Sequence, residues 1–320
     1  MANEVEKFNA IALADIEKIN GKDDDDIEKL NGFEFSGIVL QRGIFFGGGN
    51  PYAVGLSNLV SNVGVVASDT SAVGTAREGS GGAEYGTGTA IFAFGSTGSM
   101  SSLSNLVNTS GVIASDTSGV GTARYNLGGA AYGGDKGICA YGYGTGGVST
   151  KNLVNNSGVV ASDATGGGTA RSNLKATQYG VDTAIFGFGY LTGVTNLVNN
   201  SGVVASDTSA VGTARSDVAA CSFGSPTATQ GLFVYGTTGV SNIVNTSGVV
   251  ASDVSLVGTN RRQAGGCEYG ADKGIIAYGY TTWPNMFAKS NLISNSGGVA
   301  SDGSAVGTAR YNPAGASFGT

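Results

Sequence analysis

The sequence contains no histidine. That removes the usual general base, the Ser-His-Asp and Cys-His nucleophile systems, and every His-ligated zinc, copper or haem centre. Its three cysteines are odd in number and widely spaced, so they frame no disulfide scaffold and suggest synthesis in a reducing cytoplasm. No apolar run approaches the roughly 20 residues of a membrane-spanning helix, and no membrane insertion is expected. The opening MANEVEKFNA is acidic and lacks the basic-then-apolar pattern of a signal peptide. Charged residues are scarce and unevenly placed. Residues 1–34 hold ten acids and four lysines, whereas residues 35–320 hold thirteen of each sign. A neutral body with no basic face argues against a nucleic-acid partner.

What the chain has in excess is repetition. Glycine is abundant, yet 41% hydrophobic content with 13 Tyr and 13 Phe points to a packed fold rather than a disordered one. The phrase GVVASDTSAVGTAR, ending at Arg215, recurs in close variants ending at Arg77, Arg124, Arg171, Arg261 and Arg310. Each copy has a leading asparagine, Asn58, Asn105, Asn152, Asn196, Asn242 and Asn291, at intervals of 47, 47, 44, 46 and 49 residues. An aspartate follows eleven residues later (Asp69, Asp116, Asp163, Asp207, Asp253, Asp302), and the arginine eight after that.

Each unit offers four short strand candidates separated by turn residues: AEYG, AIFAFG, SNLV and VIASD. Four strands in ~45 residues, repeated, is the arithmetic of a β-propeller blade. The chain ends suggest closure. The second strand first appears as GIFFGG with no first strand before it, and the chain stops on ASFGT, a first strand with no second. Pairing these two orphans would complete a sixth blade and remove the exposed edges.

The N-terminal stretch is a different, eleven-residue repeat: EKFNAIALADI, EKINGKDDDDI, EKLNGFEFSGI. Asp before, Lys within and Asn-Gly after suggest one short helical turn per unit. Turns this short are marginal in water, so the arm is expected to order against a partner.

The Gly-terminated strand, the Asn-led strand, the strand ending in Asp and the GTAR phrase together resemble the kelch-type propeller repeat over residues 38–320. The DIEKINGK strings and the NLVNNSGVVASDT…VGTAR repeats also resemble segments of virion proteins of marine tailed bacteriophages. The resemblance implies a particle-associated structural protein.

Six Asp–Arg pairs fit blade-to-blade ties far better than six sites, because identical repeats need identical interfaces. SDTSAVGT faintly echoes the sialidase Asp-box but lacks its aromatic, and no glycosidase carboxylate pair stands out. DDDD at residues 23–26 has no EF-hand spacing. Cys139, Cys221 and Cys267 take positions held elsewhere in the repeat by Phe, Ala or Thr, and read as buried core. The informative departure is the loop between second and third strands. Its last copy, YTTWPNMFAKSN, carries the only Trp, Trp283, with Met286 and Phe287. It is either a contact surface or a plug at the closure.

The expectation is therefore an all-β, six-bladed β-propeller over residues 38–320, with an anchoring arm over residues 1–37. No catalytic, cofactor-binding or metal-binding residue is assigned, and no enzyme activity is expected. Asp69, Arg77, Asp116, Arg124, Asp163, Arg171, Asp207, Arg215, Asp253, Arg261, Asp302 and Arg310 are the structural repeat. Ile16, Ile19, Ile27 and Leu30 are the arm's docking residues, and Trp283, Met286 and Phe287 a second contact. The expected function is a non-enzymatic virion structural or decoration protein, associated with capsid, tail or fibre. It would be made in the host cytoplasm and held to other virion proteins through the arm. The alternative is a propeller adhesin whose loops bind a host glycan or receptor.

Overall fold

The computed structural model describes residues 42–319 except Ala72 and Ala210, together with six two-residue strands between Lys7 and Glu34. The chain divides into two compact units, Met1–Leu40 and Gln41–Gly319. Among the described residues there is no helix.

In the larger unit the strands form six antiparallel sheets. Sheet I joins Ala314–Phe318, Arg42–Phe46, Leu56–Val60 and Thr70–Ser71, in that order. Sheet II is Gly81–Tyr85, Thr89–Ser96 and Met100–Val107. Sheet III is Gly128–Tyr132, Lys136–Ala140, Thr150–Val154 and Ala164–Thr165. Sheet IV is Lys175–Tyr179, Thr183–Gly187 and Thr195–Val198. Sheet V is Ala219–Phe223, Gln230–Val234, Val240–Val244 and Val254–Ser255. Sheet VI is Gly265–Tyr269, Lys273–Ala277 and Ser290–Ile293.

The two orphan strands do pair: Ala314 faces Phe46, Ala316 faces Ile44 and Phe318 faces Arg42. This register repeats in the other sheets, where Ile91 faces Ala83, Ile138 Ala130, Ile185 Thr177, Leu232 Cys221 and Ile275 Cys267. The second strands are wholly buried apart from their first residues, because each lies between neighbouring sheets on both faces.

The core is distributed rather than central. One apolar cluster joins Ile44 and Phe46 of sheet I to Phe92 and Val107 of sheet II. Equivalent clusters join II to III, III to IV, IV to V, V to VI, and VI back to I through Ile275 and Phe45. The first strands touch in the same cyclic order. The aromatic that ends each first strand is buried under a turn of the next sheet. Gly111, in the turn after the third strand of sheet II, has φ 77°, and a Cβ there would lie 2.6 Å from the Phe318 ring. Only glycine meets both demands. Tyr85, Tyr132, Tyr179, Phe223 and Tyr269 lie under the matching glycines Gly158, Gly202, Gly248, Gly297 and Gly64.

Two expectations are corrected. The segment read as a full fourth strand forms only an isolated bridge, such as Val60 to Val66 or Val107 to Ile113, and short two-residue strands follow in sheets I, III and V. The buried Asn58 side chain explains this. Its Nδ2 donates to the Ala67 carbonyl at 3.0 Å and to Asp69 at 2.9 Å, taking the place of ladder bonds. The arm units form strand pairs, not helical turns: Phe8 faces Ile11, Ile19 faces Lys22 and Leu30 faces Phe33. Two residues separate each pair, and in two units these are Asn-Gly, the sequence that most favours a two-residue hairpin.

Candidate functional site

Two polar assemblies stand out in the larger unit. The first fills the joints between sheets. Arg124 is fully buried. Its guanidinium lies 3.9 Å from the Phe94 ring centroid of sheet II. It donates into sheet III, to the Tyr141 carbonyl at 2.8 Å and to Asn152 Oδ1 at 2.7 Å. Arg77, Arg171, Arg215, Arg261 and Arg310 lie likewise over Phe46, Tyr141, Phe188, Tyr235 and Tyr278. The last of these spans the joint from sheet VI to sheet I, where Arg310 donates to Asn58 Oδ1 at 2.6 Å. Five of the six aromatics hold a positive φ between 62° and 65°, which turns each ring under its arginine. That left-handed backbone costs roughly 1 kcal/mol or more per residue and is offset by the cation–π contact.

The aspartates complete each joint. Asp116 of sheet II accepts from the Thr75 amide at 2.9 Å and its hydroxyl at 2.6 Å, both in the connection leaving sheet I. Asp163, Asp207, Asp253 and Asp302 do the same with Thr122, Thr169, Thr213 and Thr259, and Asp69 accepts from Thr308, 239 residues away. The glycine before each threonine is required: Gly74 has φ 100°, and a Cβ there would sit 2.6 Å from both Asn105 and Asp116. At the joint of sheets IV and V the pattern is weaker. Asn242 Oδ1 has no hydrogen-bond partner among the described residues, and burial pushes Arg215 down to about 10 against the opposing charge of Asp253.

Burial pushes each aspartate's pKa up. Threonine and asparagine side-chain hydrogen bonds, the threonine amide and, at most joints, arginine charge outweigh it and hold all six below the usual value. Each carboxyl therefore binds its proton more weakly in the folded chain than in the unfolded one. Their stabilisation is fully present above about pH 4–5 and is lost as pH falls through the folded values. The melting temperature is expected to fall steeply between about pH 5 and pH 2. A flat profile over that range in circular dichroism melts would contradict this.

The second assembly lies at one end of the first strands. Gly79, Asn126, Asn173, Asp217, Gln263 and Asn312 precede these strands, with φ between 52° and 63°. Each amide donates to the carbonyl of the previous member, from Asn126 N to Gly79 O at 2.8 Å round to Gly79 N to Asn312 O at 3.0 Å. Side chains add a second tier: Asn126 donates to Asn173 at 2.6 Å and Gln263 to Asp217 at 3.2 Å. Beside it, burial pushes the Lys175 amine down to about 8, with Asp217 opposing the shift.

Outside this tier runs an arc of aromatics. Trp283 packs edge-on to Tyr311 at 5.5 Å, Tyr280 lies 6.1 Å from Tyr311, and Tyr125 lies 5.5 Å from Tyr143. Glu78 sits between the two groups. Burial raises its pKa, and the Tyr311 hydroxyl beside it pulls the other way. The Tyr311 hydroxyl also lies 3.2 Å from the Pro51 carbonyl.

Trp283 is thus both a packing partner at the I–VI joint and 57% exposed. Met286 and Phe287 are half-buried. Ile19 and Leu30 lie in the paired strands of the arm, while Ile16 and Ile27 fall outside the described residues. Among the described residues no cluster of three His, Cys, Asp or Glu forms a metal site. Burial pushes the Cys139 thiol up to about 11 and raises Cys221 and Cys267 as well. Sequence reasoning missed Tyr311, Tyr280, Glu78 and the amide tier. For Tyr311, Glu78 and the tier the signal was positional, the one or two residues after each repeat arginine, whereas Tyr280 follows the glycine that ends a second strand. No protein-family profile matches the chain, and no curated protein matches it.

Proposed function

We propose that residues 38–320 form a six-bladed β-propeller of kelch-like blades, and that the protein is a non-enzymatic structural or decoration component of a phage virion. One observation carries the reading. The six sheets bury their repeated faces against one another in cyclic order, so the larger unit completes its core without a partner. Among the described residues the smaller unit offers two-residue strand pairs, and an isolated hairpin is at best marginally stable in water. A self-sufficient body joined to a segment that needs a surface suits anchoring by the arm and display by the body. The body's first residue in a sheet, Arg42, pairs with Phe318, at the opposite end of that strand pair from Phe46 and Ala314. The Tyr311 end of the body lies at the Phe46–Ala314 end of that strand pair.

The test is the full chain carrying Ile16→Asp and Ile27→Asp. It is expected to melt like the parent yet fail to join particles, read by the protein's presence in purified virions. Normal incorporation of this variant would overturn arm-mediated anchoring.

A further inference from the structure

We propose that the Tyr311 end of the body binds a neutral oligosaccharide, on a platform formed by Trp283, Tyr280, Tyr311, Glu78, Tyr125 and Tyr143. This rests on reading the body as the displayed part, and assigns that part a ligand.

The chemistry favours a sugar over the alternatives. A pyranose presents apolar C–H faces and hydroxyl-rich edges. Aromatic rings accept the faces, and carboxylates and amides accept and donate at the edges. The arc supplies both. Trp283 and Tyr143 are exposed by 57% and 41%, and Tyr52, one residue from the Pro51 carbonyl beside the Tyr311 hydroxyl, by 83%. Between the two aromatic groups stands the half-buried Glu78 carboxylate, with the Tyr311 hydroxyl beside it. A carboxylate at that point can accept hydrogen bonds from ligand hydroxyls. Towards the centre lies the amide tier, in which Asn312 donates to Asn126. Charges near the platform balance: Glu78 and Asp217 against Arg262 and Lys175. A neutral ligand fits that balance better than a sialylated or sulfated one. A protein partner would call for a broader apolar patch than rings separated by polar groups.

The chain has a single tryptophan, so its fluorescence reports this site alone. Full-length protein is titrated with neutral gluco-, galacto- and manno-configured oligosaccharides, with sialylated and sulfated ones in parallel. A saturable change in Trp283 emission with a neutral member is expected. Trp283→Ala, followed by calorimetry, and Glu78→Gln are each expected to weaken that binding about tenfold or more. Tyr52→Ala, at a fully projecting side chain, serves as a variant that leaves folding untouched and is expected to weaken it severalfold. The proposal is overturned if no neutral sugar perturbs the emission, if only anionic sugars bind, or if affinity survives in all three variants. Such a failure would leave the arm experiment unaffected, so the two readings fall separately.

Discussion

A chain ending at Pro313 is expected to lose its cooperative melt. The deletion removes Ala314–Phe318, the first strand of sheet I, and with it every hydrogen bond to Arg42–Phe46 from that side. Ala314, Ala316 and Phe318 are buried, and Phe318 is the ring on which Gly111 of sheet II rests. Losing one buried Phe costs about 3–5 kcal/mol, and the pairing and two sheet contacts are lost as well. A domain of ordinary stability has about 5–15 kcal/mol in total. The truncated chain should therefore bind hydrophobic dyes, aggregate through the bared edge of Arg42–Phe46, and show no sharp transition by circular dichroism. A peptide spanning residues 311–320, added in excess, should restore part of the transition by filling the vacant strand position. A truncated chain that melts like its parent would show that the pairing of the chain ends is dispensable.

Arg124→Ala is expected to be the most damaging single substitution, lowering stability by about 3–5 kcal/mol. It empties a fully buried space over Phe94 and leaves Asn152 Oδ1 and the Tyr141 and Cys139 carbonyls without their donor. Arg124→Lys keeps the charge but not the planar fork, and is expected to recover less than half of the loss. Arg310 is the informative comparison. Its Nε has no hydrogen-bond partner among the described residues, so Arg310→Ala forfeits less. Urea denaturation of the three variants gives the order directly. If Arg124→Ala and Arg310→Ala proved equal and mild, packing alone would hold the joints, and the guanidinium bonds would contribute little.

The sequence made legible whatever the period repeats with unchanged chemistry. The alignment of Ile44 with Ile91, Ile138, Ile185, Leu232 and Ile275 gave the strand register, and the two orphan strands gave their pairing. It did not make legible what depends on backbone conformation. Phe94, Tyr141, Phe188, Tyr235 and Tyr278 look like the last residues of apolar strands. Their positive φ, which turns them under the arginines, leaves no mark except the glycine that follows. Asn-Gly in the arm reads equally as a helix stop or a hairpin loop, and only the pairing across it decides. The Tyr311 platform was illegible for the opposite reason. It is the part that breaks the repeat, with Glu78, Tyr125, Ser172, Ser216, Arg262 and Tyr311 at one position, so the period fixes the place but no shared residue marks it.

The cyclic order of the joints bears on how the protein meets a protease. In an open row of repeats a terminal unit is held from one side, and one cut can free everything beyond it. Here each sheet is gripped by two neighbours through an arginine, an aspartate and an apolar cluster. A single nick in an exposed tip, such as that at Gly98 with no atom within 4 Å of a Cβ there, leaves both new ends belonging to a sheet still held from both sides. Release of a fragment takes two cuts and the parting of two joints, so nicking and dissociation become separate events.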